Sequence, residues 1–217
     1  METKKIKETS WLKTILKPLT ICCFCFLFAY LMFKVVITPT IVSGPSMVPN
    51  LVNGERVWAI NSNILNIDRG SVIVFDAYEV DPSVGTNKLY VKRVIGLPGD
   101  KVTASQGTIY VNDRPIDQRF IPEKQQKATG KWNFKSLSQK HMWPHSASTV
   151  VPKDQYFVLG DNRSVSNDSR YFGFVPKNKV KGVVKVFFWT KDTSNQRRYY
   201  INKQSKKFWE GEVKNDH

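Results

Sequence analysis

A lysine can act as a general base only when its surroundings lower its pKa from about 10.4. Lys92 sits in residues 89–101, LYVKRVIGLPGDK. Residues 89–95 are β-branched and apolar enough to predict a strand, and Leu97-Pro98-Gly99-Asp100 a turn that ends it. Side chains alternate along a strand, so Tyr90, Lys92 and Val94 share a face while Arg93 points the other way. Burial among such neighbours favours the neutral amine, which can accept a proton. The plainer reading of the same residues is a strand-edge lysine that reaches solvent. A second reactive group is Ser46, in Ser43-Gly44-Pro45-Ser46-Met47-Val48-Pro49. Gly and Pro force irregular backbone there. Such backbone can aim N–H groups at one point, as an oxyanion hole requires, or it can simply turn the chain. Residues 160–170, GDNRSVSNDSR, crowd small polar and charged groups between two apolar strands, which is either a turn or a buried network. His141 and His145 would face one metal from a helix, but Pro144 between them opposes the helix and solvent-exposed histidines are the ordinary alternative.

These groups need elements to hold them. Residues 1–17 form a polar tail with Lys4, Lys5, Lys7, Lys13 and Lys17, and residues 18–37, PLTICCFCFLFAYLMFKVVI, follow. Twenty helical residues span roughly 30 Å, one hydrocarbon core. Pro18 suits a first helical turn, Lys34 can snorkel near the far end, and Pro39 marks the stop. The leading lysines predict a cytoplasmic N-terminus, with everything after Thr38 outside the cytoplasm. A cleaved signal peptide would show a small-residue cleavage site after a shorter apolar run. None follows here, so the reading is an uncleaved, single-pass anchor. Cys22, Cys23 and Cys25 all lie in this span, as apolar filler, and the outer region has no cysteine for disulfides or metal. The short linker from Ile37 places Ser46 within about 30 Å of the membrane.

Beyond the anchor, short strands are predicted at 55–60, 71–75, 108–111, 114–116, 155–159 and 182–189, with a tight hairpin turn at Asn112-Asp113. Residues 122–150 have scattered aromatics and no period, and read as an insertion or long loop. The tail from 190 is basic and polar, and reads as disordered or as lying on a membrane. The net charge of +15 calls for an acidic partner, either nucleic acid or an anionic membrane. Five of the lysines belong to the N-terminal tail, where topology explains them. No helix-turn-helix, nucleotide-binding glycine motif or zinc pattern is present.

Four stretches follow the anchor in order: SGPSMVPNL at 43–51, DRGSVIVF at 68–75, LYVKRVIGLPGDK at 89–101 and LGDNRSVSNDSRYFGFVP at 159–176. Together they resemble bacterial type I signal peptidase, a Ser/Lys protease. The resemblance implies a mostly β fold, antiparallel sheets in a barrel-like core after one N-terminal transmembrane helix. It implies a cytoplasmic tail at 1–17, an anchor at 18–37, a peptidase domain at 38–189 with 122–150 as a variable insertion, and a basic tail at 190–217. Ser46 matches the nucleophile, Lys92 the general base, and Ser166 the serine that hydrogen-bonds and orients the lysine. Asp168 and Arg170 match a supporting buried ion pair. The Ser46 N–H matches one oxyanion donor. Where some relatives place a serine hydroxyl as the other, this chain has Gly44, so a Gly44 N–H or a water must serve. Met47, Leu51, Tyr90 and Val91 match positions lining the small pocket for the residue before the cut. No metal or cofactor is implied. The implied partners are exported preproteins with Ala-X-Ala-like cleavage sites and the lipid bilayer, with no nucleic acid. The single span and small size resemble the enzymes of Gram-positive bacteria. A specialised peptidase of the same fold for a pilus or conjugation substrate is the alternative, ahead of a membrane-tethered polyanion binder. The anchor argues against the self-cleaving repressor-type proteases that share the fold.

Overall fold

The computed structural model of the chain describes residues 5–143, 148–190 and 193–209, and divides into two compact units between Thr38 and Pro39. The first holds α1, Lys5–Val36, a single helix of 32 residues. Its stretch Thr14–Leu31 is long and apolar enough to cross a membrane. Pro18 was expected in the first turn. Instead the helix already runs from Lys5 and carries Pro18 inside it. The Lys, Glu and Leu residues ahead of the proline are good helix formers, and beside it the Thr20 hydroxyl donates to the Lys17 carbonyl at 2.8 Å. The helix stops at Val36, and β1, Ile37–Ile41, takes over. The side chains of Lys34 and of the lysines up to Lys13 lie outside those described.

The second unit is mostly β. Its strands are β2 (Arg56–Ile60), β3 (Val72–Asp76), β4 (Leu89–Gly96), β5 (Val102–Ser105), β6 (Thr108–Val111), β7 (Arg114–Pro115), β8 (Trp132–Asn133), β9 (Gln155–Leu159), β10 (Val175–Pro176) and β11 (Val180–Lys185). One sheet runs β1-β2-β11-β3-β4-β9-β10 and the other β7-β6-β5-β8. Every pairing described between them is antiparallel, as expected. β3 and β4 lie near the middle of the larger sheet, and both faces are covered. Val72, Val74 and Val91 pack into one apolar cluster, and Ile73, Phe75 and Val94 into another. That explains why VIVF is an uninterrupted apolar run and not an alternating one.

The hairpin between β6 and β7 turns on Asn112 and Asp113, with φ of 52° and 64°. Both are left-handed, as a two-residue hairpin turn requires. Three expectations need correction. The last strand ends at Lys185, not at Trp189. The Asn202 side chain bonds both backbone groups of Val186, at 2.9 and 2.7 Å, which diverts the chain from the ladder. Residues 122–150 are not a plain loop. They form α2 (Glu123–Ala128), β8 and α3 (Phe134–His141), and bury Trp132, Phe134, Leu137 and Trp143 in the core of the smaller sheet. Finally, residues 193–209 are folded, against the reading of a disordered tail. α5, Asn195–Asn202, is capped by Ser194, and Ile201 and Phe208 are buried. Trp209 bridges to Ile116, with the guanidinium groups of Arg69 and Arg114 5.6 and 4.7 Å from its ring.

Candidate active site

Lys92 is fixed by the register of β4 on β3, opposite Ile73. The residue is 4% exposed, and its Nζ lies 2.8 Å from Ser46 Oγ. Burial lowers the amine's pKa to about 8, against the opposing pull of Asp168, Asp161 and Asp81. Desolvation wins because none of these carboxylates contacts the amine, whose one hydrogen-bond partner described is a neutral hydroxyl. The Tyr90 ring is 5.1 Å away.

Ser46 opens a tight turn in which the Asn50 and Leu51 amides return to the Met47 carbonyl at 2.9 and 3.0 Å. The 160–168 loop grips this turn. Asn162 donates its backbone N–H to the Ser46 carbonyl at 3.0 Å and its side-chain amide to the Pro45 carbonyl at 3.2 Å. That loop is held in turn by the Asp168–Arg170 pair. Arg170 forks onto both Asp168 oxygens at 2.8 and 2.9 Å and reaches the Arg163 carbonyl at 2.7 Å. Asp168 also accepts the Gly160 N–H at 2.9 Å and caps α4 (Ser169–Phe172) through the Arg170 N–H.

One expected contact is absent among the described residues. Ser166 makes no hydrogen bond to Lys92, and its buried Oγ has no hydrogen-bond partner among the described residues. The hydroxyl is packed on Gly160, where an added Cβ would lie only 2.2 Å from it. The Gly44 N–H, one of the two expected sources of the second oxyanion donor, donates to Asn53 Oδ1 at 2.9 Å. Met47, Leu51 and Val91 lie on one side of β4 and Tyr90 on the other. Met47 and Leu51 are fully buried in a cluster with Val91. Tyr90 stands on the opposite face of β4 with Lys92, as strand alternation demands. Its hydroxyl donates to Asp81 at 2.9 Å, and burial followed by Asp81 pushes its pKa up to about 12. His141 meets Tyr171 edge-on at 4.9 Å, while its proposed partner His145 and Pro144 lie outside the described residues.

A second ion pair was not singled out from the sequence. Arg93 and Asp161 are both 0% exposed and joined by two bonds of 2.8 and 2.7 Å. Arg93 also donates to the Gly70 and Tyr200 carbonyls, each at 2.9 Å. Asn50 donates to Asp161 at 2.8 Å, so this pair holds both the strand of Lys92 and the turn of Ser46. The available signal was an arginine in an otherwise apolar strand, which needs a buried partner. Arg163 supports the same loop from Gly160, Gln118 and Thr129, and burial lowers its pKa to about 10.

An amine whose pKa burial has lowered, at hydrogen-bond distance from a hydroxyl and enclosed by apolar packing and paired charges, can lose its proton near neutral pH and activate that hydroxyl for attack on a carbonyl. Comparison with known proteins gives the family. The family model described as signal peptidase, peptidase S26, matches residues 11–189. Signal peptidase IB of Staphylococcus aureus (strain Mu50) is 37% identical over 168 residues, 76% of this chain and 84% of its own. Probable signal peptidase I-2 of Synechocystis is 35% identical over 150 residues, 68% of this chain and 61% of its own. The crystal structure of signal peptidase I from Enterococcus faecalis is 31% identical, with a TM-score of 0.44 over 53% of this chain and 93% of its own. The protein is therefore a peptide-bond hydrolase. It belongs to the signal peptidases, peptidase family S26.

Proposed function

We propose that Ser46 is the nucleophile and Lys92 the general base of a membrane-anchored endopeptidase that cuts signal peptides from exported preproteins. The observation that carries this reading is the 2.8 Å contact between Lys92 Nζ and Ser46 Oγ in a buried site. Lys92 takes the Ser46 proton as Oγ attacks the scissile carbonyl, then delivers it to the leaving amine. Water attacks the resulting ester, with the same amine as base, and frees the enzyme. The Ser46 N–H is one oxyanion donor. With the Gly44 N–H engaged by Asn53, water supplies the other.

The substrate enters as an added strand. β3 pairs with β4 from Leu89 onward, whereas the described pairing of β9 with β4 begins only at Arg93. The second edge of residues 89–92 is therefore available to an extended peptide beside the reacting pair. Alternate side chains of that peptide face the protein. Met47, Leu51 and Val91 already fill the core there, which goes with small residues in an Ala-X-Ala-like site. α1 anchors the enzyme, with its lysine-rich end in the cytoplasm and the β unit outside.

The test is covalent. Quenching the full-length enzyme during turnover of a preprotein should reveal by mass spectrometry an acyl adduct on Ser46. Ser46→Ala should lose both the adduct and turnover. An adduct on another residue, or turnover by Ser46→Ala near that of the parent, contradicts the assignment.

A further inference from the structure

The match to the signal peptidase family ends at residue 189, yet the residues after it hold the turn that carries Ser46. Arg197, on α5, donates through Nε to the Asn50 carbonyl at 3.2 Å and through Nη2 to Glu55. Glu55 is buried, and its carboxylate also accepts the Val52 N–H at 3.0 Å and the Thr193 hydroxyl. Its backbone carbonyl accepts the Val42 N–H at 2.9 Å. The far side of the same turn is closed by the buried Asn50 side chain, which donates to Asp161 and, at 2.7 Å, to the Phe120 carbonyl. One helical turn further along α5, the Tyr200 carbonyl accepts from Arg93, the residue after Lys92. A single short helix thus touches both the turn behind the nucleophile and the strand of the base.

We propose that residues 193–209 form a positioning element for the Ser46–Lys92 pair, and that Arg197 is its principal positioning residue. The proposal rests on the reading of Ser46 as nucleophile. Arg197 spans two acceptors, a buried carboxylate and a main-chain carbonyl, and a planar guanidinium suits that bridging task. Both acceptors belong to the 42–55 segment, so the bridge fixes the segment against α5 without touching the open edge where substrate enters. Removing it lets the turn drift. A displacement of about 1 Å at a reacting atom can cost about 10²-fold in rate, while the substrate-binding edge of β4 stays as it was. The signature is a fall in kcat, per folded enzyme, with KM preserved; normalising to folded protein is what separates it from loss of active enzyme, which lowers the apparent kcat in the same way.

The experiment uses the full-length enzyme in detergent with a preprotein substrate, rates being normalised to folded protein. Arg197→Ala should lower kcat by about 10- to 100-fold with KM changed less than about twofold. Arg197→Lys keeps the charge opposite Glu55 but has no fork to span to Asn50, and should fall between Arg197→Ala and the parent. A kcat for Arg197→Ala within about twofold of the parent overturns the proposal, as does a loss carried wholly by KM. If Arg197→Ala does not fold, Arg197→Lys decides on the same terms: kcat reduced at constant KM supports the proposal, and the parent's kcat overturns it. Ser46→Ala separates the two readings. If it is inactive while Arg197→Ala is normal, only the positioning role fails. If Ser46→Ala turns over, the nucleophile assignment fails and the positioning role with it.

Discussion

Lys92 is the residue on which the proposed chemistry turns, and its burial has consequences for both stability and rate. Its pKa is about 8 in the folded chain and about 10.4 when unfolded. Folding thus favours the neutral form. The folded state carries no penalty above the unfolded pKa, loses stability as pH falls, and reaches a constant deficit below about 8. At pH 7 that deficit is about 3 kcal/mol, taking 1.36 kcal/mol per unit. Lys92→Met should therefore be inactive yet more stable than the parent at pH 7, by about 2–3 kcal/mol, with the gain shrinking toward pH 10. Denaturant unfolding at both pH values measures it, and a Met variant less stable at pH 7 would mean that burial does not penalise the charged lysine. The rate should follow the same ionisation. kcat/KM should rise with pH through an apparent pKa near 8, the value of Lys92 in the free enzyme. Lys92→Arg should be inactive at every pH because arginine keeps its proton. A rise confined to the neighbourhood of 10.4, or turnover by Lys92→Arg, contradicts the neutral-base mechanism.

Among the elements, β4 and the 160–168 loop act as one piece because Arg93 and Asp161 join them in the interior. Removing one partner of a buried pair leaves the other charge without compensation, at a cost of about 3–5 kcal/mol. Asp161→Ala should lose stability of that order in thermal or denaturant unfolding. A change below about 1 kcal/mol would show Arg93 to be satisfied by the Gly70 and Tyr200 carbonyls alone. This pair also marks the limit of what was legible in the sequence. Strand positions were readable where apolar runs were bounded by turn residues, as at Gln155–Leu159 and Thr108–Val111, both of which formed as expected. The proximity of Ser46 to Lys92 followed from motif order, not from periodicity. Hydrogen-bond geometry was not legible: Ser166 packs on Gly160 and makes no bond to Lys92, and Asn53 occupies the Gly44 amide. Polar composition hid the fold of α5, whose attachment rests on Ile201, Phe208 and a few side chains bonded to distant backbone. Scattered aromatics likewise concealed the core contribution of Trp132, Phe134 and Trp143.

At the scale of the whole molecule, a helix apolar enough to span a membrane precedes a mostly β peptidase unit. Nearly all the chemistry and its support lie in that unit, from the Ser46 turn to α5. A hydrolase of this family that is anchored by α1 should act on preproteins as they emerge from the membrane, and only where small residues precede the cut. The most direct measurement gives the full-length enzyme, reconstituted in lipid vesicles, a preprotein with an Ala-X-Ala site and maps the product by mass spectrometry. The account predicts one new N-terminus, immediately after the second alanine, produced by the parent enzyme and absent with Ser46→Ala. An intact preprotein, cleavage elsewhere in the chain, or the same product from Ser46→Ala would contradict it.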